Sequence, residues 1–207
     1  MKRLMNILKK LKRILRGIKM PNWTDNLLII DGPVENVKAF FTELSSKNNN
    51  LAALMPVPDE LDKIHQGSRE FDGVRVDAWY EDDEGARPVL DIRKDELTEK
   101  YGTYKSIDWQ YKNWGTKWGD CETEVFTNNE GKKIITFQSA WGPPWKLLHD
   151  IAVKYDIIII DNVQYEFEPG IHIDKYPMTE EHVADNMKVS NNLDKLIKAS
   201  VDEEYKD

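Results

Sequence analysis

Hydrophobic positions along the chain switch between two periods, and the switches mark the elements. Asn26-Leu27-Leu28-Ile29-Ile30 is a short apolar run closed by Asp31-Gly32-Pro33, which predicts a strand and then a tight turn. Pro33 suits a helix start, and Val34, Val37, Phe40, Phe41 and Leu44 recur at helical spacing before Asn48-Asn49-Asn50 stops them. Leu51 to Leu61, with Pro56 and Pro58, reads as an irregular connection ending in a helical turn. From His65 to Glu99 charge dominates, and Glu81-Asp82-Asp83-Glu84 predicts a solvated loop or hairpin tip. A short extended piece is expected between Arg87 and Ile92, and a helix from Asp95 to Tyr101 stopped by Gly102. Glu122 to Thr127 and Lys133 to Ser139 form a hairpin around Asn129-Glu130-Gly131. Pro144 then opens a second helix with Trp145, Leu148, Ile151, Ala152 and Tyr155 on its buried stripe. Ile157 to Ile160 leads into an alternating strand from Val163 to Glu168, and Ile171-His172-Ile173 is a further strand candidate.

The order β, α, insertion, β, β, α, β predicts an α+β protein, specifically a ferredoxin-like split βαβ sandwich. Four antiparallel strands would carry two helices on one face. This domain is expected over residues 20–176, with the charged insertion at about 65–105. Two helical flanks are expected around it. In residues 1–19, Leu4, Ile7, Leu8, Leu11, Ile14, Leu15 and Ile18 make one apolar stripe. In residues 177–207, Thr179 caps a short helix, and Val189, Leu193, Leu196, Ile197 and Val201 make a narrow stripe on another.

Charge changes the picture next. The 207 residues carry 29 basic and 37 acidic side chains, a net charge of −8. Lys2, Arg3, Lys9, Lys10, Lys12, Arg13, Arg16 and Lys19 are balanced by no acid before Met20, so the body is near −16. Such a body repels phosphate backbones, which argues against general nucleic-acid binding by the globular part. The basic segment has three readings: a helix on an anionic membrane surface, a helix docked on the body or a partner, or an extended start upstream of Met20. The 4-residue run from Ile157 to Ile160 is far short of the ~20 residues of a spanning helix. One cysteine, Cys121, excludes an intrachain disulfide, so a cytoplasmic location in a host cell is expected.

Several short motifs occur in a fixed order: Met20-Pro21-Asn22-Trp23, Tyr101-Gly102, the string from Trp109 to Trp118 that includes Asn113-Trp114-Gly115-Thr116-Lys117-Trp118, and Ala140-Trp141-Gly142-Pro143-Pro144. In this combination the chain resembles the YubB ferredoxin-like domain family of phages and plasmids, over roughly Met20 to Tyr176. The resemblance implies the ferredoxin-like fold and an origin on a mobile element, and it implies no particular activity. Thr24 and Asp25 stand where relatives often have other small residues. The segments before Met20 and after Tyr176 lie outside the resemblance.

Candidate chemistry gathers at two places. Trp114, Trp118, Trp141 and Trp145, with Lys117 as a cation and Thr116 as a donor, could form an aromatic platform for a base or a partner side chain. The competing reading has these indoles plugging the end of the sheet; exposure of at least two of them would favour a site. Glu166, Glu168, His172 and Asp174 alternate, and on strands they could ligate Mg or Mn. His149-Asp150 points apart on a helix, and Cys121 lacks a nucleophile signature. There is no phosphate-binding loop, dinucleotide fingerprint, nucleophile elbow or zincin helix, so no cofactor is expected. The leading expectation is a non-enzymatic mobile-element protein that binds a host protein, as an inhibitor of defence or of nucleic-acid processing. The alternatives are nucleotide or single-strand binding at the tryptophans, and a metal-dependent phosphoesterase.

Overall fold

The computed structural model describes residues 22–129, 131–166, 168 and 170–180. The basic segment 1–19 and the stripe from Val189 to Val201 lie outside the described residues. Five helices are named here in chain order: α1 (Val34–Ser46), α2 (Asp59–Asp62), α3 (Asp91–Tyr101), α4 (Ser106–Trp114) and α5 (Trp145–Tyr155).

Strand β1 (Trp23–Asp31) organises the molecule. Its residues alternate, with Thr24, Asn26, Leu28 and Ile30 buried on one side. Three strands follow in the charged region: β2 (Ile64–Phe71), β3 (Val74–Asp82) and β4 (Gly85–Pro88). After them come β5 (Cys121–Thr127), β6 (Lys133–Ala140), β7 (Ile158–Tyr165) and β8 (His172–Tyr176). The main sheet has the order β5-β6-β1-β7-β8, and every neighbouring pair is antiparallel. Register places Trp23 opposite Ala140 and Asp31 opposite Ile158, so both ends of β1 are paired. The protein is therefore a mixed α+β structure built on antiparallel sheets. The sequence predicts four strands in this layer; β8 adds a fifth at its edge.

The buried face explains the two long amphipathic helices. Leu28, Ile30, Ile135, Phe137 and Ile159 of the sheet meet Phe40, Phe41 and Leu44 of α1 and Leu148, Ile151 and Ala152 of α5 in one core. Each fully buried large aliphatic or aromatic side chain contributes about 2 kcal/mol by leaving water. Val34, expected on the stripe of α1, is instead exposed. The opposite face of the sheet carries Asp25, Leu27, Thr136, Gln138, Asn162 and Gln164 along an open trough.

The charged stretch departs most from expectation. It forms a second antiparallel sheet, β2-β3-β4, with Asp83 and Glu84 in the turn between β3 and β4. Ile64, Ala78, Val89 and Leu97 anchor it and α3 into the same core. Glu60 of α2 ties the connection down, accepting from Arg93, Lys100 and the Tyr101 hydroxyl. The Lys100 contact leads the three, and together they hold the Glu60 carboxyl well below the usual range, at about 2.

Candidate functional site

The tryptophan-rich string folds as α4 followed by two tight turns, and the turns decide which indoles face water. Gly115 ends α4 with φ 84°. Trp114, at the last helical position, points inward, is buried, and donates its indole N–H to the Met55 carbonyl at 2.9 Å. Thr116 is also buried, and its hydroxyl donates to the Ala140 carbonyl at 2.5 Å. These two residues, expected to touch a ligand, instead fasten the loop, Trp114 to the connection at Met55 and Thr116 to β6. Trp145 is half-buried with its indole lying over Gly115. A β-carbon at Gly115 would stand 2.5 Å from Trp145 Nε1 and 2.6 Å from its Cδ1. The left-handed backbone adds its own penalty for any L side chain. Gly115→Ala is therefore expected to lower stability by about 2 kcal/mol, read as a drop in thermal midpoint with unchanged far-UV circular dichroism.

Trp118 and Trp141 behave differently. They are 43% and 42% exposed, and both have left-handed backbones, φ 67° and 63°. A bulky residue in that region costs of order 1–2 kcal/mol, so two such residues side by side are held there by their surroundings. Trp118 donates its backbone N–H to Gln110 Oε1 at 2.9 Å, and Trp141 donates its own to the Asn22 carbonyl at 2.7 Å. The Lys117 ammonium lies over both rings, 3.9 Å from the Trp118 centroid and 4.3 Å from that of Trp141. Loss of water around it pushes the Lys117 pKa down. Each cation–ring contact is worth about 0.5–2 kcal/mol, depending on exposure.

Two further rings complete the array. Tyr111 of α4 stacks on Trp141 with centroids 6.1 Å apart and planes 17° apart. Trp23 of β1 lies 6.2 Å from Trp118 at 32°. The series Tyr111–Trp141–Lys117–Trp118–Trp23 thus forms a continuous aromatic ladder with a cation at its centre. Tyr111 and Trp23 were not among the predicted site residues. Trp23 enters through strand pairing, which sets it opposite Ala140, and its ring meets Trp118. No family model, curated protein or solved structure matches the chain.

The acidic candidates are not brought together. β7 stops at Tyr165, so Glu166 and Glu168 do not alternate on a strand as expected. Glu166 instead accepts the backbone N–H of Trp23 at 3.0 Å. Glu168 Oε2 lies 3.6 Å from His172 Nε2. Asp174 stands on β8 directly opposite Asp161, a fully buried residue. Among the described residues, no three His, Cys, Asp or Glu side chains gather in a metal-binding group. Cys121 is half-buried, and burial raises its thiol pKa, the wrong direction for a nucleophile. His149 and Asp150 have separate partners: His149 Nδ1 accepts from Met178 N, and Asp150 pairs with Lys146. No helix among the described residues is long and apolar enough to cross a membrane.

Proposed function

We propose that this chain is a non-enzymatic binding module that engages a partner protein through the ladder centred on Trp118, Lys117 and Trp141. The observation that carries this reading is the exposure of two indoles on strained backbone, with both rings backed by a second aromatic. Exposed, rigidly held Trp and Tyr rings beside a cation have the composition of binding hot spots. The fold is proposed to be ferredoxin-like. The split order, in which β1 lies between β6 and β7 while α1 and α5 share one core, supports that assignment. With the ordered Trp and Pro motifs, it also supports an origin of the YubB kind on a phage or plasmid. The partner is proposed to be a host protein that handles nucleic acid, because a body near −16 can occupy a surface that otherwise meets phosphates. Anti-defence inhibition in the host cytoplasm is the role that fits this combination.

Base stacking on the ladder is the second reading, favoured by the stacked Tyr111–Trp141 pair. Retention of host proteins by the immobilised full chain and by a Trp118→Ala/Trp141→Ala variant tests the first. A saturable partner is expected to bind the variant about 30-fold more weakly, equivalent to about 2 kcal/mol. Equal capture by both chains would defeat the proposal. Titration of the tryptophan fluorescence with short oligonucleotides is expected to give a flat response; quenching lost in the variant would shift the assignment to the second reading.

A further inference from the structure

We infer that the gap between Trp118 and Trp141 is a seat for a guanidinium group of the partner, and that Lys117 is its internal placeholder. This rests on the ladder being the binding surface and adds the chemistry of what it takes. The ammonium distances require the two ring centroids to lie no more than about 8 Å apart. A flat group stacked between two rings needs about 7 Å, twice the van der Waals contact distance of about 3.5 Å. Tyr111 stacks on Trp141 and Trp23 flanks Trp118, while the Lys117 ammonium lies over a face of each indole, which marks those two faces as the ones that take a cation.

Lys117 is a poor permanent occupant. Its ammonium is compact and strongly hydrated, yet the site strips water from it, and burial alone pushes its pKa down. A guanidinium is planar, more weakly hydrated and stacks on indoles, so it suits the same gap better. The net charge of −8 draws a cationic segment toward the surface and disfavours a phosphate-bearing one. Arginine also matches a partner whose own surface handles nucleic acid.

The test uses the full chain, tri-arginine amide as probe, and tryptophan fluorescence at low ionic strength. Lys117→Ala empties the gap and is expected to bind tri-arginine about tenfold more tightly than the native chain. Lys117→Arg fills the gap with the better occupant and is expected to bind at least about threefold more weakly. Opposite shifts from the two variants are the signature of a placeholder. A lysine that contacts the ligand directly gives a loss with Ala and near-retention with Arg, and that result would overturn the inference, as would an unchanged affinity in both. Lys117→Arg keeps the gap filled, so its result decides the matter even if the Ala variant fails to fold. If host-protein capture still depends on Trp118 and Trp141 while the tri-arginine series stays flat, the guanidinium assignment falls and the binding surface stands.

Discussion

Raising the pH from about 4 to about 8 is expected to destabilise the protein by about 4 kcal/mol through Asp161 alone. Asp161 is fully buried on β7, and its Oδ2 has no hydrogen-bond partner among the described residues. Its Oδ1 accepts from the Leu27 backbone N–H at 3.2 Å, too weak a contact to offset burial. Desolvation first, and then the Asp174 carboxylate opposite, raise its pKa to about 7. Asp174 is pushed up by burial as well, so both members of the pair favour the neutral form. Tyr165 and Tyr176 add neighbours that titrate only at higher pH. An unfolded aspartate releases its proton near 4, whereas the folded one holds it to about 7. Between those limits the native state binds more protons, so stability falls as pH rises and levels off above about 7. Chemical denaturation across this range should show the slope. In Asp161→Asn the slope should be largely gone, with the variant more stable than the native chain near pH 8. Parallel pH profiles for the two chains would refute the account.

Replacing Asp120 by Ala is expected to cost about 3–4 kcal/mol. Asp120 is buried at the turn after Trp118, and its carboxylate accepts the backbone N–H groups of Leu51 and Ala52 at 2.9 and 2.8 Å. The Thr123 hydroxyl donates to it at 2.5 Å. One side chain therefore satisfies two donors at the start of the 3-10 turn Ala52–Leu54 and joins that turn to β5. Truncation leaves those N–H groups buried without an acceptor, and that loss exceeds the value of the bonds themselves. Asp120→Asn retains one acceptor oxygen and should lose roughly half as much. Because the same carboxylate anchors the loop carrying Trp118, the Ala variant should also lose the near-UV circular dichroism of the packed indoles. A near-UV spectrum unchanged from the native chain would break the link between Asp120 and the ladder.

Where apolar residues set the period, the sequence was readable. Leu28 and Ile30, Phe40 and Leu44, and Leu148 and Ile151 each fall inside the element that their spacing predicts. The charged sheet was not readable for a physical reason: Gly67 to Glu70 on β2 and Val74 to Asp77 on β3 are open enough that neither face leaves an apolar repeat. The candidate site was half legible. Four indoles were recognised, but their fates depended on backbone turns, with Trp114 inside a helix and Trp118 beyond the Gly115 reversal. Composition cannot separate a tryptophan that plugs from one that protrudes. The acidic set failed because the alternation it assumed outran the end of β7 by three residues, from Tyr165 to Glu168.

Placing β1 at the centre of the main sheet governs when this chain can fold during synthesis. Asn26 reaches Ser139 across 113 residues and Leu27 reaches Asp161 across 134, whereas β2, β3 and β4 pair as consecutive neighbours. The local hairpins can close on the ribosome at once, while β1 waits for β6 and β7. During that wait the apolar run Leu27 to Ile30 has neither of its sheet partners, so its unpaired backbone edges stay open to other chains or to a chaperone until β6 and β7 arrive.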